Sequence, residues 1–213
     1  MTYLNIVNGI LRRLREDEVS SVAETTYSKM VGDFVNDAKR IIEDSYQWSA
    51  LRSDVDITTV ASDGEYALTG VGTRGKVLDA WNETQGLQLR KQSKEWLRRR
   101  ETGSAQEASP VYYVTSGLSG DDINIKVWPV PNAAYTLSFS VVSPQADLSA
   151  DSDDLLVPEA PVLHLALAML ARERGETGGT SAAELFSIAD RYLRDAIAVE
   201  AARHEEELIY FTV

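Results

Sequence analysis

The run Tyr135-Thr136-Leu137-Ser138-Phe139-Ser140-Val141 alternates large apolar side chains with small polar ones. In an extended chain, successive side chains point to opposite faces. Tyr135, Leu137, Phe139 and Val141 therefore share one face, and Thr136, Ser138 and Ser140 share the other. One buried face and one wet face suit an antiparallel sheet. Upstream, Ile123, Ile125 and Val127 alternate with Asn124 and Lys126 in the same way, and Val111 to Thr115 is β-branched and aromatic. Pro129 and Pro131 bracket the connection between the two clearest runs, because proline cannot continue a hydrogen-bonded ladder. Further back, Val55 and Ile57 are separated by polar residues, Asp63-Gly64 marks a turn, and Tyr66 and Leu68 resume the alternation on the return. Val77 to Trp81 and Gly86 to Leu89 read as shorter strands. Ser93 to Arg100 reads as a helical turn or an edge, and Glu101 to Ser109 as a loop.

On both sides of this region the apolar period becomes helical. Leu4, Val7, Leu11 and Leu14, widened by Ile10, predict a helix over about Thr2 to Asp17. Arg12, Arg13 and Arg15 crowd its C-terminal end, where the helix dipole favours cations. Met30, Val31, Phe34, Val35, Ala38, Ile41 and Ile42 mark the buried side of a second helix, about Tyr27 to Tyr46. Trp48 and Leu51 follow at its exit. Pro144 to Asp154 is acidic and lacks a period. Pro158 and Pro161 open a third helix to about Arg174, apolar on most sides through Val162, Leu163, Leu165, Leu167, Met169 and Leu170, as expected of a helix buried all round. Gly175 to Gly179 breaks the chain. Ser181 and Glu184 have capping-box spacing for a last helix striped by Leu185, Ile188, Ala189, Tyr192, Ala196 and Val199.

These readings predict an α+β fold, a helical bundle formed by N- and C-terminal helices with an inserted antiparallel β domain. Residues 1–51 and 155–207 are assigned to the bundle, 52–154 to the inserted β domain and 208–213 to a C-terminal docking tail. A chain of 213 residues buries roughly 70% of its extended surface and needs no metal or disulfide to fold.

Few chemical functions survive inspection. The chain has no cysteine, which removes disulfides, thiol catalysis and cysteine-based metal sites. Its net charge of −12 argues against general DNA binding, although a local patch is still compatible with contact. The N-terminus has no signal-peptide pattern, and the longest apolar stretch, Val162 to Ala171, is too short to span a bilayer. His164 lies in the apolar helix and reads as a core or interface histidine. His204 lies in a charged run, and the two histidines are not spaced as a metal pair. No phosphate loop, dinucleotide fingerprint or nucleophile elbow occurs, and Gly70-Val71-Gly72 reads as a plain turn. Asp147, Asp151, Asp153 and Asp154 lack calcium-loop spacing and read as a solvated acidic loop. With 33 acidic residues, chance carboxylate pairs are expected and point to no hydrolase. No catalytic residue, metal or cofactor is predicted.

Two features stand out as contact surfaces. Arg90, Lys91, Lys94, Arg98, Arg99 and Arg100 form a basic cluster around Trp96. It reads either as a solvated face or as a contact with a neighbouring subunit, an acidic partner or DNA. Leu208, Ile209, Tyr210, Phe211 and Val213 make an apolar, aromatic terminus. Burying each large side chain is worth about 1.5 to 3 kcal/mol. Such a terminus either packs on its own domain or docks into a groove of another protein, for example as an added strand.

The order of these features resembles the head–tail adaptor (connector) proteins of tailed bacteriophages, including the tail-tubular-A-like adaptors. The likeness rests on the opening Ile6-Val7-Asn8 helix ending in Arg12-Arg13-Leu14-Arg15-Glu16, and on the second helix running into Trp48 and Leu51. It continues through Pro110-Val111-Tyr112-Tyr113 and Trp128-Pro129-Val130-Pro131 to Leu148-Ser149-Ala150-Asp151-Ser152-Asp153 and Val157-Pro158. It ends with an alanine-rich helix closing on Glu173-Arg174-Gly175. The resemblance implies a non-enzymatic structural protein of the virion neck, made in the bacterial host cytoplasm. It implies a homo-oligomeric ring, typically twelvefold, beneath the portal protein and above a downstream tail or nozzle protein. Genomic DNA would pass through its channel without sequence-specific binding, and no membrane is involved. The apolar third helix is expected to supply part of the subunit interface. The alternative reading is another phage structural or assembly protein, a neck, tail or chaperone-like docking module. A carboxylate-dependent hydrolase is the remaining class, and it requires a pocket with two convergent carboxylates.

Overall fold

In a computed structural model, residues 1–102, 106–175 and 182–203 are described. The chain separates into two compact units, one made of Met1–Ala50 with Gln145–Val213 and the other of Leu51–Pro144.

The first unit is helical. Helix α1 (Tyr3–Arg13) is capped by Thr2, and its buried side holds Tyr3, Ile6, Val7, Ile10 and Leu11. It is shorter than its apolar period implies, because Leu14 closes it and Arg15 takes a left-handed backbone conformation (φ 60°). Helix α2 (Thr26–Ser45) opens on a capping box in which Thr25 and Ser28 exchange hydrogen bonds. Helices α4 (Glu159–Glu173) and α5 (Ala182–Ala201) complete the unit. The capping residue proposed for α5, Ser181, lies outside the described residues.

Helix α4 packs on α1, α2 and α5. Val162, Ala166, Ala168 and Leu170 are completely buried in the single chain. Leu165 and Met169 on the same helix stay half-buried, so only a small part of its apolar surface is open.

The segment at 145–154, which its acidity assigned to the β insert as a solvated loop, belongs instead to the helical unit. It is a strap held by backbone and buried polar groups. The Lys39 ammonium donates to the carbonyls of Gln145 (2.7 Å) and Ala146 (3.1 Å). The Asn36 amide donates to the Leu148 carbonyl at 3.0 Å and accepts from the Leu148 N–H at 2.9 Å. Tyr3 N–H donates to the Asp153 carbonyl at 2.8 Å. Three of the acidic side chains are structural acceptors, Asp147 taking the Arg40 guanidinium and two others taking backbone N–H groups. Asp151 accepts from Val22 N–H at 2.9 Å. Asp153 accepts from the N–H groups of Ser149 and Ala150, each at 2.8 Å, which holds its carboxyl below the usual range.

The second unit is a sandwich of two four-stranded sheets with strands β1 (Arg52–Thr58), β2 (Glu65–Leu68), β3 (Lys76–Asn82), β4 (Leu87–Gln88), β5 (Arg90–Lys91), β6 (Tyr112–Ser119), β7 (Asp122–Trp128) and β8 (Thr136–Val142). One sheet has the order β1-β8-β3-β4, the other β2-β7-β6-β5. All pairings are antiparallel except β5 with β6. The alternation read from the sequence matches the burial. Ile123, Ile125 and Val127 from one sheet share a core with Leu137, Phe139 and Val141 from the other. The Asp63-Gly64 turn does not return the chain to its own sheet. β1 pairs with β8 and β2 with β7, so the two strands flanking the turn lie in different layers. Gly70 and Gly72 both adopt positive φ (85° and 74°), and their N–H groups converge on one oxygen of Asp122 at 3.0 and 3.2 Å. This tight turn drops Val71 into the core.

Candidate functional site

The basic cluster forms on helix α3 (Lys94–Glu101) and on β5, which both pack against β6. Ser93 caps α3, its side chain accepting from Trp96 N–H at 3.2 Å. Leu97 anchors the helix by packing with Val114 and Trp128, while Trp96 and Tyr112 pack alongside. Those positions are out of phase with inward-facing Tyr113 and Val127, so α3 covers the face of the β2-β7-β6-β5 sheet that points away from the other sheet.

This arrangement holds the cations outward. Arg98, Arg99 and Arg100 lie in the last turn of α3, where the helix dipole favours them. The Arg100 guanidinium lies 5.3 Å from the centroid of the Trp96 ring, whose centroid is 4.7 Å from that of Tyr112. Trp96 is thus half-buried, with part of its surface already used. Lys94 donates to the Ser116 carbonyl. Arg98 and Arg99 are exposed, and neither makes an ion pair among the described residues. Arg90 and Lys91 sit on β5, opposite Tyr112 and Tyr113.

The opposite outer face of the sandwich carries a feature that the sequence reading missed. Asp54 and Asp56 occupy the wet positions of β1. They accept from the hydroxyls of Ser140 and Ser138, their partners on β8, at 2.5 and 2.6 Å. Trp81 on β3 pairs with the same Ser138 and is 42% exposed. The signal was present in the alternation of Asp54 and Asp56 with Val55 and Ile57, which marks the acids as the outward set.

On the helical unit, the apolar stripe of α5 is only partly used. Ala189 and Glu200 are buried, but Ile188 is 40%, Tyr192 40% and Val199 57% exposed. His164 stacks flat on Tyr192, with ring centroids 4.3 Å apart and planes at 6°. Burial, with a smaller contribution from the Arg13 charge, lowers its pKa. His204 and the segment Leu208, Ile209, Tyr210, Phe211 and Val213 lie outside the described residues.

A cleft of about 310 Å³ next to α3 gathers Asp63, Glu65 and Glu101 with Lys126. Asp63 caps the turn by accepting from Glu65 N–H at 3.1 Å. Glu65 is held by Asn124 and lies 3.6 Å from the Lys126 ammonium. The first two carboxylates therefore serve the turn and the sheet face. Among the described residues no cluster of three or more His, Asp or Glu side chains is arranged to hold a metal ion. No described helix is long and apolar enough to cross a membrane.

The chain thus presents opposed basic and acidic outer faces on its β unit and an open apolar stripe on its last helix. Comparison with curated proteins gives no match. A family model described as SU10 adaptor protein matches residues 1–207, nearly the whole chain, in agreement with the adaptor resemblance of its sequence. The chain belongs to the SU10 adaptor protein family.

Proposed function

We propose that this protein is a structural head-to-tail adaptor of a tailed phage. Copies assemble as a ring, twelvefold as in the tail-tubular-A-like adaptors it resembles, beneath the portal and above the next tail or nozzle component. The ring leaves a channel for DNA, and the protein has no catalytic role.

The observation that carries this reading is the apolar stripe on α5. Ile188, Tyr192 and Val199 stay in water although most of the apolar surface of α4 beside them is covered. Exposed apolar residues that cluster on one face mark a surface used for association. The acidic balance supports the channel, since a wall of like charge weakens adhesion of passing DNA. Residues 208–213 serve as the tail that docks on the portal.

Imaging of intact particles tests the proposal. The expected result is a ring of this protein at the neck, stacked on the portal. Particles whose neck lacks it refute the reading. They leave the alternative of an assembly or chaperone-like docking module, which is released before the particle is complete.

A further inference from the structure

We infer that neighbouring copies join through their β units, the basic edge of α3 on one copy seated on the acidic Asp54–Asp56 sheet face of the next. This deepens the ring reading and rests on it.

Three observations on one unit lead to this pairing. The first is placement. Leu97 seats α3 on the outer face of one sheet, while Asp54, Asp56 and Trp81 lie on the outer face of the other. The two inner faces share a single core. The basic and acidic surfaces are therefore opposite ends of a three-layer stack. Surfaces on opposite sides of one body join head to tail, the heterologous arrangement that closes into a ring when the rotation between successive copies divides the circle evenly.

The second is charge. Arg98 and Arg99 make no ion pair among the described residues. Among the described residues, Asp54 and Asp56 are met only by the Ser140 and Ser138 hydroxyls and make no ion pair. Arg52 and Lys76 lie level with Val142, one row from Asp54 and two from Asp56 and Trp81, so the uncompensated negative charge of this face is greatest at its Asp56 end. Each surface carries unneutralised charge, and each is the complement of the other. In a chain of net charge −12, a cationic edge is unusual enough to select which acidic surface it meets. Such complementarity fixes register and rejects wrong contacts.

The third is the aromatic residue at each surface. Trp81 lies beside the acids and Trp96, under Arg100, lies within the basic edge. Tryptophan and arginine are enriched where interfaces derive their affinity. The apolar stripe of α5 contributes area elsewhere in the ring. The pairing of α3 with the sheet face specifies orientation.

The test uses two full-length reversal variants. Arg98→Glu with Arg99→Glu leaves the acidic face intact. Asp54→Arg with Asp56→Arg leaves the basic edge intact. Wild type, each variant and an equimolar mixture are incubated with purified portal protein at low ionic strength and weighed by mass photometry. Wild type is expected to assemble. Each variant alone repels itself, and its self-association weakens by about tenfold or more. The mixture assembles again, because every junction then joins opposite charges and an even-numbered ring closes with alternating copies. Circular dichroism melting establishes that the variants fold.

A folded variant that assembles alone like wild type overturns this interface and leaves the ring reading standing. Folded variants whose mixture stays monomeric also overturn it. Wild type that never assembles, with or without portal, defeats the ring reading itself. Should a double reversal fail to fold, the cysteine-free chain offers a second route. Asp56→Cys combined with Arg99→Cys and treated with a bismaleimide should give a ladder of linked oligomers. Either cysteine alone should give none. A wild-type ring whose double-cysteine counterpart gives no ladder refutes the pairing.

Discussion

The Lys39 ammonium and the Glu43 carboxylate lie 3.1 Å apart, one helical turn apart on α2, and both side chains are completely shielded from solvent. The pair is a fastening point. Lys39 uses its other donors on the carbonyls of Gln145 and Ala146, and Glu43 accepts from Gln145 N–H at 3.2 Å. The start of the returning strap is thereby clamped to α2. A buried ion pair of this kind survives only when its remaining hydrogen-bonding capacity is satisfied.

Replacing Lys39 by Met leaves a buried carboxylate without its cation and should lower stability by about 3 to 5 kcal/mol. Removing both charges, with Lys39→Met and Glu43→Leu, should cost much less than the single change. Urea denaturation of the three proteins measures this. A single variant as stable as wild type would show that water reaches the site.

Gly32 on α2 marks a close approach. A Cβ there would lie 2.2 Å from the Tyr3 hydroxyl and 2.9 Å from Val22 Cγ1. Gly32→Ala should destabilise the helical unit by about 1 to 3 kcal/mol through overpacking, despite alanine's better helix propensity. Adding Tyr3→Phe removes the nearest atom and should recover part of the loss. The thermal midpoints of the two singles and the double report that coupling.

Helix α5 is expected to tolerate charge on its stripe as a monomer but not in an assembly. Ile188→Asp and Val199→Asp alter exposed sites and should shift folding stability by no more than about 0.5 kcal/mol each. Sedimentation in the presence of portal should show assembly reduced. Unchanged assembly would assign the stripe to solvent.

His164 gives a pH dependence with a definite sign. Burial keeps its imidazole less basic in the folded chain than the ordinary value of 6.5. The unfolded chain therefore binds a proton first as pH falls. The contribution of neutral His164 is fully present above about pH 6.5 and is lost as pH drops through the lower folded-state value. His164→Phe retains a flat ring against Tyr192 and should flatten that part of the stability profile, read as denaturation midpoints from pH 7.5 down to 5.

Deleting residues 208–213 should leave the melting temperature unchanged and weaken attachment to the portal in a pull-down. A truncated chain that unfolds would assign the tail to its own core.

The strands β7 and β8 were legible because a period of two registers one wet and one buried face along a single segment. The choice of sheet was not. The Asp63-Gly64 turn looks the same whether β2 folds back on β1 or crosses to β7, since the partner lies some sixty residues away along the chain. Helix α4, read as buried all round, is buried along its apolar run except at His164, Leu165 and Met169, which are half-buried, and which surface covers the rest is a non-local fact. The stripe of α5 posed the converse problem: a run such as Ile188, Tyr192 and Val199 has the same spacing whether its own domain or another molecule covers it. Lys39 and Glu43 escaped notice because charged residues on an amphipathic helix are ordinarily assigned to water. Asp54 and Asp56 stand out only once β1 is paired, because the serines that hold them lie on β8, more than eighty residues further along the chain.

The inserted segment begins and ends at adjacent points. Arg52 on β1 pairs with Val142 on β8, and the Leu51 carbonyl accepts from Ser143 N–H at 2.9 Å. A module whose entry and exit lie side by side can be lengthened, shortened or exchanged without rerouting the helices that carry it. Loops of this unit can therefore grow or shrink without disturbing the register of its two terminal strands.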